Sequence, residues 1–339
     1  MRIVLDAMGS DTHPEPELRA AIEAAREFGD PVLLAGPAAL LQERLRALGA
    51  SETGVRCVDA PETLEMADKP VDAARGKARS SMAVGMELLK DGEADAFVTA
   101  GNTGGAMANA LFRLGRIHGV RRPALTAVFP TRTGRAVVLD IGANADCRPE
   151  FLVQFAIFGS LYAERVLHIA SPRVALLSNG EEPGKGNALV KEAYPLLEAA
   201  GLNFIGNIEP KELFGGGADV AVADGFSGNI LLKSSEAVAN LITRLLREQI
   251  RSGLLTSIGG LLAQPAFRRV GKLLDPSEYG AAPLLGIDGL VFVGHGRSDA
   301  HALVSAIRVA RQAVEGGLLA AMRQAIHTRL SADSQERAT

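Results

Sequence analysis

No tryptophan occurs among the 339 residues, and 3 tyrosines and 12 phenylalanines bring the aromatic share to 4%. Alanine, glycine, leucine and valine fill the apolar share instead, a balance that suits helices on a parallel sheet better than a β-sandwich. Two cysteines, Cys57 and Cys147, make no disulfide framework, and neither they nor six scattered histidines stand at zinc-ligand spacing. A dominant charge is missing too: the balance of −3 lacks the broad basic face that nucleic-acid binding needs. The longest nearly apolar stretch, 151–163, falls short of the roughly 20 residues that span a bilayer. Asp6 stops the opening apolar run, so no signal peptide is expected and the chain reads as cytoplasmic.

What is present is alternation. Short apolar runs at 2–6, 31–35, 54–58, 94–99, 124–129, 135–140, 173–178, 203–206, 219–223 and 289–293 predict strands. Many are continuously apolar, as in strands buried on both faces. Helical patterns lie between them at about 14–28, 37–48, 70–90, 104–116, 149–166, 187–200, 227–252 and 299–325. The expectation is one α/β domain over 1–330, a doubly wound, mostly parallel sheet with helices on both faces, and a polar, frayed tail at 331–339.

In such sheets ligands bind beyond the carboxyl ends of strands. Five loops there are unusual: DAMGSD after the first strand, AGNTGGAM, DIGANADCRPE, SNGEEPGKGN and DGFSGN. Each mixes glycine with Asn, Ser, Thr or Asp and runs into a helix, whose free N–H groups and dipole favour an anion. Read as lying on one side of the sheet, they point to phosphate. A plainer reading, turn glycines with helix caps, fits any one of them. GNTGGAM has neither dinucleotide-fingerprint spacing nor the Lys-Ser/Thr ending of a phosphate-binding P-loop, and no nucleophile elbow or His-Glu-x-x-His occurs. Asp140, Asp146, Asp224 and Asp299 read as helix caps rather than cation ligands, so neither metal nor cofactor is expected.

At these loops the sequence resembles the PlsX family, the phosphate acyltransferases of bacterial phospholipid synthesis. The matching pieces are LDAMGSD, SSMAVGMELLKDGEADAFVTAGNTGGAM, LDIGANADCRPE, GEEPGKGN, NFIGNIEP, DGFSGNILLKSSE and YGAAPLLGIDGLVFVGHGRSD, in the family's order over nearly the whole chain. Ser10 stands where a glycine is usual, and LLSNGEE replaces a more apolar lead-in. The resemblance implies a phosphotransacetylase or isocitrate-dehydrogenase-like fold and transfer of a long acyl group from acyl carrier protein to inorganic phosphate. It also implies a homodimer at the membrane face, handing acyl phosphate to an integral glycerol-3-phosphate acyltransferase.

A thioester is already activated and phosphate is a competent nucleophile, so the protein must hold phosphate against the carbonyl and stabilise the oxyanion. Lys185, between Gly184 and Gly186, is the expected cation, and Asn229 the matching side-chain donor. Asp6, Gly9, Asn102, Thr103, Gly104, Asn144, Gly186, Asn187, Asp224, Ser227 and Gly228 are the expected phosphate cradle. His295 either protonates the departing thiol or holds a turn. Cys147 reads as a small apolar residue rather than a nucleophile. Arg75, Lys77 and Arg79 are the expected contact for the acidic carrier protein, or else a solvated helix face.

Residues 241–275 interrupt the alternation as a protruding helical excursion. Six basic residues (Arg244, Arg247, Arg251, Arg268, Arg269, Lys272) stand against Glu248 and Asp275, a balance of +4. Its middle, with Leu254, Leu255, Ile258, Leu261 and Leu262, is apolar. A basic stem with an apolar tip suits an anionic membrane surface, and burial of the same residues in a dimer is the competing reading. Other readings of the chain are a coenzyme A-dependent phosphotransacetylase, a metal- and nicotinamide-dependent dehydrogenase, and a membrane-attached scaffold.

Overall fold

The computed structural model describes residues 1–50, 54–274 and 280–336. Among the described residues, eleven strands form one sheet in the order β3-β2-β1-β4-β11-β10-β5-β6-β9-β7-β8. They are β1 (Ile3–Asp6), β2 (Val32–Gly36), β3 (Val55–Asp59), β4 (Ala96–Thr99), β5 (Ala124–Thr131), β6 (Gly134–Leu139), β7 (Val174–Leu177), β8 (Phe204–Ile208), β9 (Val220–Val222), β10 (Ala282–Leu285) and β11 (Val291–Val293). Alternate residues serve opposite faces. Ile3 and Leu5 join the core under α1 (Glu15–Phe28), α6 (Pro149–Arg165), α7 (Ala188–Glu198) and α11 (Ala300–Glu315). Val4 instead joins the core under α4 (Ser81–Lys90) and α5 (Thr103–Arg113).

Pairing is parallel except at three steps: β11–β10, β10–β5 and β5–β6. An odd number of reversals makes β6-β9-β7-β8 run opposite to β3-β2-β1-β4-β11. The five loops expected on one side of the sheet therefore divide into two sets, after β1 and β4 and after β6, β7 and β9, with the His295 loop after β11 on the side of the first set. Twist of about 20–25° per strand adds roughly 100–125° over the five steps from β4 to β9, so the two sets are inclined, not back to back. β10, antiparallel to both neighbours, leaves β11 and β5 running the same way, so the net reversal falls at the β5–β6 hairpin. β10 itself was not expected, because APLL carries a proline and no β-branched residue.

Three further differences have local causes. The helix expected over 70–90 is two, α3 (Pro70–Gly76) and α4, because Ser80 caps a new start by accepting from the Ala83 amide. The helix expected over 299–325 breaks at Gly316–Gly317, Gly317 lying at φ +64°, and resumes as α12 (Leu318–Glu336). That helix runs to Glu336, into the segment expected to fray; residues 337–339 lie outside the described residues.

α9 (Gly225–Arg251) is one 27-residue helix, and α10 (Leu254–Leu274) folds back on it. Asp275, part of the +4 balance, lies outside the described residues. The hairpin stands off the sheet, with Leu254, Leu255, Leu261 and Leu262 between 69% and 85% exposed. Among the described residues, no helix is long and apolar enough to cross a membrane.

Candidate active site

β6, β9 and β7 are neighbours, so the loops 140–148, 224–229 and 178–187 lie side by side. The first is organised by the buried Asp140 carboxylate, which accepts from the amides of Leu125 (3.0 Å), Gly142 (3.1 Å), Ala143 (2.9 Å) and Asn144 (2.7 Å) and from Asn144 Nδ2 (2.9 Å). Burial raises its pKa against the pull of these donors. Asn144 Nδ2 also donates to the Pro123 carbonyl at 2.7 Å. The Asn144 side chain is thus a bracket in the frame rather than a free phosphate ligand. Burial, with Asp140, Asp224 and Asp146 close by, pushes the Cys147 thiol up to about 12, which excludes a thiolate nucleophile at neutral pH.

α9 begins against this frame. Asp224 caps it, accepting from the Ser227 amide (2.8 Å) and hydroxyl (2.9 Å), so both side chains expected in the cradle are occupied by each other. The Gly225 amide donates to the Asn144 carbonyl at 2.8 Å, and the Gly228 amide to that of Asp224 at 2.9 Å. Gly228 supplies close approach, not a free N–H: a Cβ there would sit 1.9 Å from the Asp140 carbonyl oxygen. One residue on, Asn229 is exposed and its side chain makes no hydrogen bond among the described residues. Phe226 and Ile230 flank it, 63% and 51% exposed.

The loop after β7 is tied down by backbone and amides. Glu182 O accepts from the Lys185 amide (2.9 Å) and from Asn207 Nδ2 (2.8 Å), and Asn179 Oδ1 accepts from the Gly186 amide (2.9 Å). Gly186 sits at φ +97° with Val190 packed against it. Asn187 caps α7 through the Val190 amide at 3.0 Å. Gly186 and Asn187 therefore shape the loop, while the Lys185 ammonium is exposed with no ion pair among the described residues. Asn207, on β8, was not foreseen; its signal was a polar residue inside the apolar run FIGNI. Its Oδ1 and the neighbouring Ser178 Oγ are buried without a hydrogen-bond partner.

The other expected residues gather at the first block. Asp6 is buried and accepts from the Met8 amide (3.0 Å) and Thr99 Oγ1 (2.6 Å); burial raises its pKa. Asn102 caps α5 through the Gly105 amide (3.0 Å) and donates to Met66 O (2.9 Å). Gly9 packs on the Ala100 amide and Gly104 on Pro70, where added Cβ atoms would fall at 2.9 and 2.7 Å. Thr103 is exposed and uncommitted. Half-exposed His295 lies 3.6 Å from Glu236 of α9, and partial burial lowers its pKa, so it is mostly neutral at pH 7. α9 thus begins beside Asp140 and reaches the first block three turns later.

The expected basic patch is also at the first block, and largely neutralised. Lys77 pairs with Asp68 at 2.6 Å and Arg79 with Asp59 at 3.0 Å, while Arg75 lies over the Phe112 ring.

The fold defined by these elements is that of the phosphotransacetylases. A phosphotransacetylase from Streptococcus pyogenes is similar at TM-score 0.59 and 19% identity, covering 96% of this chain and 94% of that one. A branched-chain phosphotransacylase from Enterococcus faecalis is similar at TM-score 0.59 and 14% identity, with 93% and 99% covered. The family model described as "Fatty acid synthesis protein" matches residues 1–321. Among curated relatives, the phosphate acyltransferase of Pelotomaculum thermopropionicum is 47% identical over 331 residues, covering 97% of this chain and 96% of the relative. That of Elusimicrobium minutum is 44% identical over 327 residues, covering 96% of each. The chain belongs to this family of acyltransferases, the one its loop motifs resemble.

Proposed function

We propose that the protein transfers a long-chain acyl group from the thioester of acyl carrier protein to inorganic phosphate, at the loops after β6, β9 and β7. One observation carries the placement. Of the side chains expected to act there, Asn144, Asn187, Asp224 and Ser227 are spent on the frame. Lys185 and Asn229 stand free on adjacent loops, beside the exposed Phe226 and Ile230. An anion held by a cation and an amide, next to apolar surface, matches an acyl thioester meeting phosphate.

The chemistry needs no covalent intermediate. A phosphate oxygen attacks the thioester carbonyl carbon while the Lys185 ammonium neutralises phosphate, and Asn229 Nδ2 donates to the oxyanion. Collapse breaks the C–S bond and releases the carrier thiolate, which takes a proton from water. A thiolate is a good leaving group, so His295 is not required as an acid. The acyl phosphate then passes to a membrane-bound glycerol-3-phosphate acyltransferase. The hairpin tip at Leu254, Leu255, Ile258, Leu261 and Leu262 suits the apolar edge of an anionic membrane, with Arg244, Arg247, Arg251, Arg268 and Arg269 behind it. The exposed α9 face at Val238, Leu241, Ile242 and Leu245 suits a second copy of the chain.

The test is acyl phosphate formation from palmitoyl-acyl carrier protein and phosphate, with Lys185→Ala and a palmitoyl-coenzyme A arm. Losing one such donor costs about 100- to 1,000-fold in rate. A folded Lys185→Ala chain at full rate would remove the site, and turnover with coenzyme A thioester alone would make the enzyme a phosphotransacetylase.

A further inference from the structure

Resting on that reading, we propose that the loop 115–122, GRIHGVRR, is the docking surface for the acidic carrier protein, with Arg121 and Arg122 as its anchors. β5 starts on the same side as the carboxyl ends of β6, β9 and β7, because it runs opposite to them. Arg122 immediately precedes Pro123, whose carbonyl Asn144 Nδ2 holds at 2.7 Å, so the loop is fixed to the frame that seats α9. From β5 to β7 is three strand spacings, about 14 Å.

The loop's backbone is fastened, and two of its three arginines, Arg121 and Arg122, are not. Ile117 N donates to Gly286 O (3.1 Å), Arg121 N to Gln154 Oε1 (2.8 Å), and Gln154 Nε2 to Gly119 O (3.0 Å). Ile117 and Val120 are buried beneath, and Gly119, at φ +90°, lies under Ile326 and Leu330. Arg121 and Arg122 are exposed and form no ion pair among the described residues. No acidic residue occurs between Leu114 and Leu125. Arg148, on the loop after β6, is exposed and unpaired among the described residues as well, but it stands two residues from the exposed Asp146 and Glu150 in the sequence. A rigid, unpaired cationic rim beside a reaction centre raises the encounter rate with an acidic partner without taking part in the chemistry. The Arg75–Arg79 segment, with two of its three cations paired, meets that requirement less well.

The test is steady-state kinetics of Arg121→Glu/Arg122→Glu with palmitoyl-acyl carrier protein and phosphate varied separately. Arg116 is left in place because its guanidinium donates to the Arg121 carbonyl. KM for the carrier substrate rises roughly tenfold or more, while kcat and KM for phosphate stay put. The gap narrows as NaCl goes from 50 to about 300 mM, and Arg121→Lys/Arg122→Lys restores the parent value. An unchanged carrier KM overturns the proposal, as does a carrier KM raised by Arg75→Glu instead. A fall in kcat or a raised KM for phosphate also overturns it, placing the arginines on phosphate. Failure of the donor reading looks different: the parent itself then ignores acyl carrier protein and turns over palmitoyl-coenzyme A.

Discussion

Gly228→Ala tests whether the start of α9 is held where catalysis needs it. The added methyl would meet the Asp140 carbonyl oxygen at 1.9 Å and its carbon at 3.0 Å. Both are backbone atoms of the loop whose carboxylate gathers five donors, so neither yields cheaply. Reaching 3.0 Å, the shortest separation real Cβ atoms show, demands a movement of about 1.1 Å. The helix start is the part able to move, and Asn229 is the next residue. Overpacking of this kind costs about 1–3 kcal/mol, and a misplacement near 1 Å costs about 100-fold in rate. Thermal melts and kcat with saturating palmitoyl-acyl carrier protein would be compared for Gly228→Ala and Asn229→Ala. The glycine variant loses both stability and rate; the asparagine variant loses rate at an unchanged melting temperature. A Gly228→Ala chain that kept its melting temperature and half its kcat would refute the claim that this packing fixes Asn229.

His295→Ala lowers kcat by less than about threefold, since a thiolate needs no acid to leave; a loss near 100-fold would restore it as general acid. Asp219 gives a pH signature. Partial burial raises its pKa, but Arg173, at 2.9–3.0 Å through its side chain, outweighs that and holds the carboxyl below its ordinary value. A carboxyl depressed in the folded state stabilises above its unfolded value and stops doing so as pH falls through the folded one. Asp219→Asn therefore melts earlier at pH 7, with the gap closing below about pH 4; a gap undiminished at pH 2.5 would refute the pairing. Replacing Leu254, Leu255, Leu261 and Leu262 with serine abolishes sedimentation with vesicles containing phosphatidylglycerol and leaves turnover in solution intact; retained sedimentation would make the tip a protein contact.

Strands and helices were legible where periodicity and burial agree. β1, β4 and β11 are short apolar runs with one reading, and each expected strand is present. Legibility failed where the signal lay in another segment. β10 follows the 241–275 excursion and has a proline, so nothing local announced an extra strand between β11 and β5, while the inversion of the second half sits in the short turn between β5 and β6. Candidate side chains were legible as types and not as states. Asn144, Asn187 and Asn229 look alike in a string; whether an amide caps, brackets or stands free depends on the amides near it in space. The same holds for Lys77 and Lys185, one closed on Asp68 and the other open.

The length of α9 has a mechanical consequence. From Gly225 to Glu236 the helix spans about 17 Å, and from Glu236 to Arg251 about 22 Å. The Glu236–His295 contact lies between, where a fulcrum would be. For a stiff rod turning there, 2 Å of sway at the hairpin becomes about 1.5 Å at Gly225. Whatever grips the far end, lipid or second copy, sets how far the near end can stray from Asp140.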